Sequence, residues 1–520
     1  MASTVSRLIH KRLAKGRGMK RIAVSSAGLL TLLIACTVGP DYRRPSAPVP
    51  TAYKELAGWK PATPMDGIER GPWWSIYHDA TLDALERQID IGNQTLAAAY
   101  ANYMQANALV QEAQAQLFPF LTASASDIRS GGGNQAVVVQ PTGAGTGVGL
   151  TGKNTKKTFA VTFYTVQGQA NWVLDIWGEI RRTIESRAAG AQFSAAQVAN
   201  ARLAAQAELA TAYFNLRAAD ALQDLLNQTV DTYRQALRIT ENEYKAGYVS
   251  RLDVETALTE LRSTEAQAVA VAQQRAQFEH AIAVLIGKPP AELSLAHGQL
   301  ASVVPVVPPD VPSSLLERRP DIAAAERQMQ EANALVGASI AALYPNITLT
   351  GSYGYTGIPP LAQLFALRNE IWSLGVNGTQ PIFEGGLLVA QVAANRAAYL
   401  AAVANYRQTV LTAFQQVEDA LVALRVLEQE AKVQQEAVAA AQRNYQLALN
   451  EYKAGTVIYT TVLTDQQLLL SNQVTLLTIQ QNRLLESVAL IEALGGGWTV
   501  ADMPSIQDVR RQNGLLNIGW

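Results

Sequence analysis

The sequence predicts an α/β membrane protein built from an internal duplication, with four β-strands and two pairs of very long antiparallel helices in each chain. Three observations carry this reading. Glu243-Tyr244-Lys245-Ala246-Gly247-Tyr248-Val249 returns as Glu451-Tyr452-Lys453-Ala454-Gly455-Thr456-Val457, 208 residues later (243 against 451). Each copy closes a proline-free segment of 69 residues, 178–246 and 386–454, and a second amphipathic segment follows. Upstream of each long segment lie short runs in which apolar residues alternate with small polar ones.

The amino terminus sets the compartment. Arg7, Lys11, Arg12, Lys15, Arg17, Lys20 and Arg21 precede an apolar run from Ile22 to Ala35 that contains no charge. Fourteen residues are too few to span a bilayer comfortably but suit the core of a signal peptide, assigned to 1–35. The run ends Leu33-Ile34-Ala35-Cys36, which resembles the bacterial lipobox. That likeness implies a lipid on Cys36, the one cysteine of the chain, as the only covalent group; no other cofactor is expected. Thr37 stands where aspartate would retain a lipoprotein at the inner membrane, so sorting to the outer membrane follows from the same likeness. Residues 36–80, rich in proline and without helical periodicity, read as an extended, lipid-anchored arm.

The first structural repeat is placed at 81–290. It holds a helix, a hairpin at 120–174, the long helix 178–246 and a return helix 250–286. A linker at 291–316 leads to the second repeat at 317–497, with its hairpin at 346–382, long helix 386–454 and return helix 458–494. Residues 498–520 form a tail. Leu117-Phe118-Pro119 matches Leu343-Tyr344-Pro345 at a separation of 226, so the first copy carries 18 extra residues, placed in the glycine-rich run from Ser130 to Lys157. At about 1.5 Å per residue each long helix reaches roughly 100 Å. Helices of that length are normally sustained by coiled-coil packing, and their many alanines permit close approach. Lysine-alanine-glycine at each far end is a helix stop followed by a tight turn.

In the first hairpin Leu121, Ala123 and Ala125 alternate with Thr122, Ser124 and Ser126, and the second hairpin repeats this at Ile347, Leu349 and Gly351 against Thr348, Thr350 and Ser352. Val166, Gly168, Ala170 and Trp172 face one way, as do Trp372, Leu374, Val376 and Gly378; Gln167, Gln169, Asn171, Ser373, Asn377 and Thr379 face the other. This dyad pattern with aromatics near the ends is that of a transmembrane barrel strand. Four strands cannot close a barrel, and an open edge is not tolerated in lipid, so copies must pool their strands. Charged residues make up only 16 % of the chain, against about 25 % in soluble proteins. A net charge of −1 gives no reason to expect nucleic acid.

Chemistry-like motifs read better as structure. Gly147-Val148-Gly149-Leu150-Thr151-Gly152-Lys153 has the glycines of a phosphate loop, but Asn154 replaces the magnesium-binding hydroxyl and the next segment has a strand pattern. His10, His78, His280 and His297 are scattered, which argues against a metal cluster. Glu317-Arg318-Arg319-Pro320-Asp321-Ile322 fits a helix start, with Pro320 in the first turn and Asp321 complementing the dipole. No enzymatic activity is indicated.

Leu33-Ile34-Ala35-Cys36, Val38-Gly39-Pro40-Asp41-Tyr42, Trp73-Trp74, Glu317 to Ile322, the two turns and Gly495-Gly496-Gly497-Trp498 together resemble the outer-membrane factors of TolC type, in their lipoprotein, NodT-like branch. The resemblance covers nearly everything from Cys36 to Trp498. It implies a homotrimer whose three chains form a 12-stranded outer-membrane β-barrel continuous with a periplasmic α-helical barrel. It further implies passive export of small molecules handed on by a periplasmic adaptor and an inner-membrane pump of RND type. A pore-free, lipid-anchored coiled-coil scaffold is the alternative. The turns then form a periplasmic tip, closed at rest, with Gly247, Tyr248, Arg251, Asp253, Gly455, Thr456, Val457, Tyr459 and Asp465 as its candidate gate residues. Because 456–461 carry no charge, the constriction is expected to rest on apolar and hydroxyl packing, with Asp253 and Asp465 as the nearby acids.

Overall fold

The computed structural model describes residues 37–50, 52–55, 72–132, 137–139, 148–150, 159–301, 303–305 and 315–512. The signal segment, Cys36, His10, the linker at 306–314, the last eight residues of the tail and most of the phosphate-loop-like run therefore lie outside the described residues. Helices α1 (Ala80–Gly92) and α2 (Gln94–Ala115) lead to strand β1 (Phe120–Gly132). A short ribbon of β2 (Val137–Val139) and β3 (Val148–Leu150) precedes β4 (Phe159–Leu174). The long α3 (Glu179–Lys245) and its return α4 (Arg251–Leu285) complete the first copy. The second copy runs α5 (Pro320–Ala341), β5 (Asn346–Gly357), β6 (Glu370–Thr379), α6 (Leu387–Lys453) and α7 (Tyr459–Ala493), and α8 (Ile506–Gln512) follows.

Both long helices contain 67 residues, about 100 Å each. Gly178 and Gly386 precede them in the left-handed conformation, so each helix begins one residue later than its glycine. Each long helix packs along its own return helix, and α3 also meets α2, α5 and α7, which makes it the spine of the chain. The main core lies where these elements converge. Trp73, Tyr213, Phe214 and Tyr406 are buried there among leucines and alanines of both copies.

The duplication is visible in single contacts. Asn93, which caps α2, donates its Nδ2 to the carbonyl of Leu285 at the end of α4 (2.8 Å). Arg319, at the same place before α5, donates NH1 to the carbonyl of Ala493 at the end of α7 (2.9 Å). Positions 93 and 319 are 226 apart and their acceptors, 285 and 493, are 208 apart, the two separations found in the sequence. In each copy the helix leading into the sheet thus satisfies an orphan carbonyl where the return helix ends. Pro320 and Asp321 occupy the first turn of α5, while Asp321 also binds the Arg319 guanidinium at 3.0 and 2.6 Å.

The four long strands form one antiparallel sheet in the order β1-β4-β5-β6, so β1 and β6 present edges that no other strand among the described residues pairs. The arm does not hang free. Val38 donates its N–H to the Trp177 carbonyl (3.0 Å), and Arg182 donates to the carbonyls of Val38 and Gly39 and to Asp41. Asn333 holds Pro40, and Arg44 donates to the Tyr406 hydroxyl. Farther on, Glu418 accepts from the backbone N–H groups of Lys54 and Glu55. Gly39 has φ +102° and lies so close to Gly337 that a Cβ would come within 2.5 Å of its Cα, so only glycine lets the arm lie against α5 here.

Candidate functional site

Register decides what the sheet can do. Leu121, Ala123 and Ala125 of β1 stand opposite Ala170, Gly168 and Val166 of β4. Trp172, Gly168 and Val166 stand opposite Leu349, Tyr353 and Tyr355 of β5, and Leu349, Gly351 and Tyr353 opposite Val376, Leu374 and Trp372 of β6. Directly opposed residues share a face, so one face is apolar across all four strands. Phase, therefore, is common to both hairpins, as the alternation predicts. Leu121, Trp372, Leu374 and Val376 are each at least 70 % exposed on the single chain. Such a broad uncovered apolar face belongs against lipid or another protein.

Hydroxyls and amides fill the opposite face: Thr122, Ser124, Gln167, Gln169, Asn171, Thr350, Ser352, Ser373 and Asn377. Ser352 and Ser373 share a hydrogen bond across it (2.8 Å). All of β4, Phe120 to Ser126 of β1, Asn346 to Thr356 of β5 and Ile371 to Thr379 of β6 carry no charge on either face; Asp127, Arg129, Glu370 and Asp175 lie just beyond this zone. Eleven residues at about 3.3 Å each, tilted by about 40°, rise roughly 25 Å, the height of the apolar band of an outer-membrane barrel. Aromatic side chains mark its lower rim. Trp172 Nε1 donates to the Leu117 carbonyl and Trp177 Nε1 to that of Pro345, both at 2.9 Å, and the Trp177 ring stacks on Tyr344 at 4.8 Å.

At the far end of the long helices the two turns share one cap. Tyr248 N donates to the Glu243 carbonyl (2.9 Å) and Thr456 N to that of Glu451 (3.0 Å), with Gly247 and Gly455 at φ +83° and +74°. This is the Schellman arrangement, whose left-handed residue favours glycine. Tyr248 is 84 % exposed beyond the cap, and Arg251 pairs with Glu255. Asp253 is committed locally, because its carboxylate binds Ser250 N (3.0 Å) and Oγ (2.7 Å) in a capping box. Asp465 accepts from Asn444 Nδ2 (2.6 Å), and Thr456 Oγ1 donates to the Glu451 carbonyl.

Just inside the turns the two hairpins lock together. Val230, Tyr233, Ala257 and Leu261 of the first copy bury Tyr459 and Leu463 of the second, with Tyr452 packed against them. The Tyr452 and Tyr459 rings lie 5.7 Å apart, and the Tyr452 hydroxyl donates to the Glu243 carboxylate. Burial, followed by that hydrogen bond, raises the Tyr452 phenol, and burial pushes Tyr459 up to about 12. Both are neutral at physiological pH. Of the sequence-predicted residues the structure thus brings Tyr459 into this cluster, whereas Val457 lies outside it. Glu243, Tyr452, Tyr233 and Leu463 were not among the predicted residues, although Glu243 and Tyr452 sit inside the repeated motif. Among the described residues no His/Cys/Asp/Glu group could hold a metal ion.

A duplicated chain with a two-faced sheet above such helices is the architecture of a membrane conduit component. The family model for outer membrane efflux proteins matches residues 85–288 and 311–496, and the chain belongs to that family. It is 30 % identical over 483 residues to the toluene efflux pump outer membrane protein TtgC of Pseudomonas putida, covering 92 % of this chain and 96 % of that one. Similarity to the pyoverdine export outer membrane protein OpmQ of Pseudomonas aeruginosa is likewise 30 %, over 92 % and 97 % of the two chains. Among solved structures, the outer-membrane channel OprN superposes with a TM-score of 0.80 at 28 % identity, over 89 % of this chain and all of that one. The protein is an outer-membrane channel component of an efflux system.

Proposed function

We propose that three copies of this chain form a closed, 12-stranded barrel with the apolar sheet face toward lipid and the hydroxyl and amide face toward the lumen. The long helices continue it as a periplasmic tunnel. The observation that carries this reading is the sheet with two unpaired edges, since edges of this kind are not left open in lipid. A pore-free scaffold would have no use for an uncharged band that is apolar on one face and rich in hydroxyls and amides on the other. The channel moves solutes passively, without catalysis, and receives them through a periplasmic adaptor from an inner-membrane pump, which we take to be of RND type. Relatives named for toluene and for pyoverdine show that the family's substrates differ widely. The uncharged barrel wall is consistent with substrate choice being made upstream.

Cys36 carries the lipid that adds a second attachment to the outer membrane. The Tyr452–Glu243 bond and the Tyr459 cluster hold the periplasmic tip closed at rest, and adaptor engagement parts the two hairpins there. Asp253 serves as a helix cap and contributes little to selectivity. Tyr452→Phe together with Tyr459→Ala is expected to raise single-channel conductance in planar bilayers and to sensitise cells to large antibiotics, while Val457→Gly alone changes little. If the double variant conducts like wild type and Asp253→Asn opens the pore, the closure is electrostatic and this reading of the tip fails.

A further inference from the structure

The first described residue, Thr37, opens onto a cavity of about 600 Å³ at the foot of the sheet, whose wall includes Gln114, Leu117, Phe118, Ile184 and Arg510. That volume falls within the range of small-ligand sites. Its level is set by the aromatic rim, because the Leu117 carbonyl in the wall is the acceptor for Trp172 Nε1. Interfacial tryptophans mark the depth of lipid headgroups and glycerol.

The arm delivers Thr37 to this place. Val38 is fixed at both backbone groups, its N–H by the Trp177 carbonyl (3.0 Å) and its carbonyl by Arg182 Nε (3.4 Å). Cys36 is the residue joined directly to Thr37. The lining suits the chemistry that Cys36 would carry. Leu117, Phe118 and Ile184 supply hydrocarbon. Asp41 and Glu185, also in the wall, are both bound by Arg182 at 2.8 Å, and Arg181 is bound by Asp175 at 3.0 Å. The exposed Arg510 guanidinium has no acceptor among the described residues. A diacylglyceryl thioether offers ester acceptors and hydrocarbon and no hydrogen-bond donor. The wall thus offers the complementary set, a free donor beside apolar surface and no unpaired anion.

We propose that this cavity seats the glyceryl-ester portion of the lipid on Cys36, so that the anchor is docked on the protein and not a loose tether; this rests on the lipidation reading above. Cells fed palmitate with a diazirine near its carboxyl end would be illuminated and the purified protein mapped by mass spectrometry. The proposal predicts cross-links to Leu117, Phe118 or Ile184, lost severalfold in Ile184→Trp, which fills the cavity. Should that variant not assemble, Arg510→Glu, an exposed position, is expected to lower the same cross-links. Absence of label from the wild-type chain overturns the lipidation reading itself. Label confined to the apolar sheet face, with lipid on Cys36 intact, overturns the cavity alone. Equal cross-linking in a chain exported with an ordinary leader and serine at position 36 means that a free phospholipid fills the cavity, which also overturns it.

Discussion

Glu86 sits in α1 with 1 % of its surface exposed, and neither carboxyl oxygen has a hydrogen-bond partner among the described residues. Burial first, then Asp83 and Asp90 nearby, pushes its pKa up to about 9, so the side chain is neutral at pH 7. The folded chain holds this proton where the unfolded chain has lost it, and stability from this residue therefore falls as pH rises from about 4.5 to about 9. Glu86→Gln keeps the shape and removes the titration. It is expected to leave stability near wild type at pH 4.5 and to gain on the order of 3 kcal/mol by pH 7, read from thermal melts in detergent. An offset that stays constant with pH would show that Glu86 is not the buried acid described here. Some residue roles were legible in advance and others were not. Pro320 and Asp321 announced a helix start from local spacing alone. The Arg319 bond to Ala493 did not, because its acceptor is 174 residues away and its counterpart in the first copy is an asparagine.

At the scale of elements, strands and caps were legible because their signals are local. A period of two survives in both hairpins, and the register then aligns the apolar residues of all four strands. The two faces predict opposite responses to one substitution. Leu374→Lys puts a charge on the apolar face near mid-height and is expected to cost about 2–4 kcal/mol, lowering the yield of assembled protein in outer-membrane fractions. Gln169→Lys, on the amide face, is expected to assemble normally and to shift the channel's reversal potential toward anions. Equal loss from both would mean that the polar face is not a lumen. The tip was less legible. Asp253 reads in sequence as a free acid, yet the N3 position it occupies makes it a cap. The contact between Tyr452 and Glu243 joins non-equivalent members of the two motif copies, so symmetry of sequence concealed an asymmetry of contact.

The whole molecule is incomplete as one chain. Its sheet ends in bare edges at β1 and β6, its apolar face is uncovered, and α6 carries Leu387, Val389, Leu400, Val433 and Leu447 at 60 % exposure or more. By length and composition α6 contains a stretch apolar enough to cross a membrane, yet the same helix continues without a break to the periplasmic turn, which suits packing against neighbouring copies. The number of copies follows from arithmetic on strands and from the family resemblance, not from any contact within one chain. Molar mass by light scattering on protein purified in mild detergent, combined with circular dichroism, tests this directly. The account predicts a monodisperse trimer with its β-signal intact and no stable folded monomer. A monodisperse monomer that keeps its sheet would contradict it.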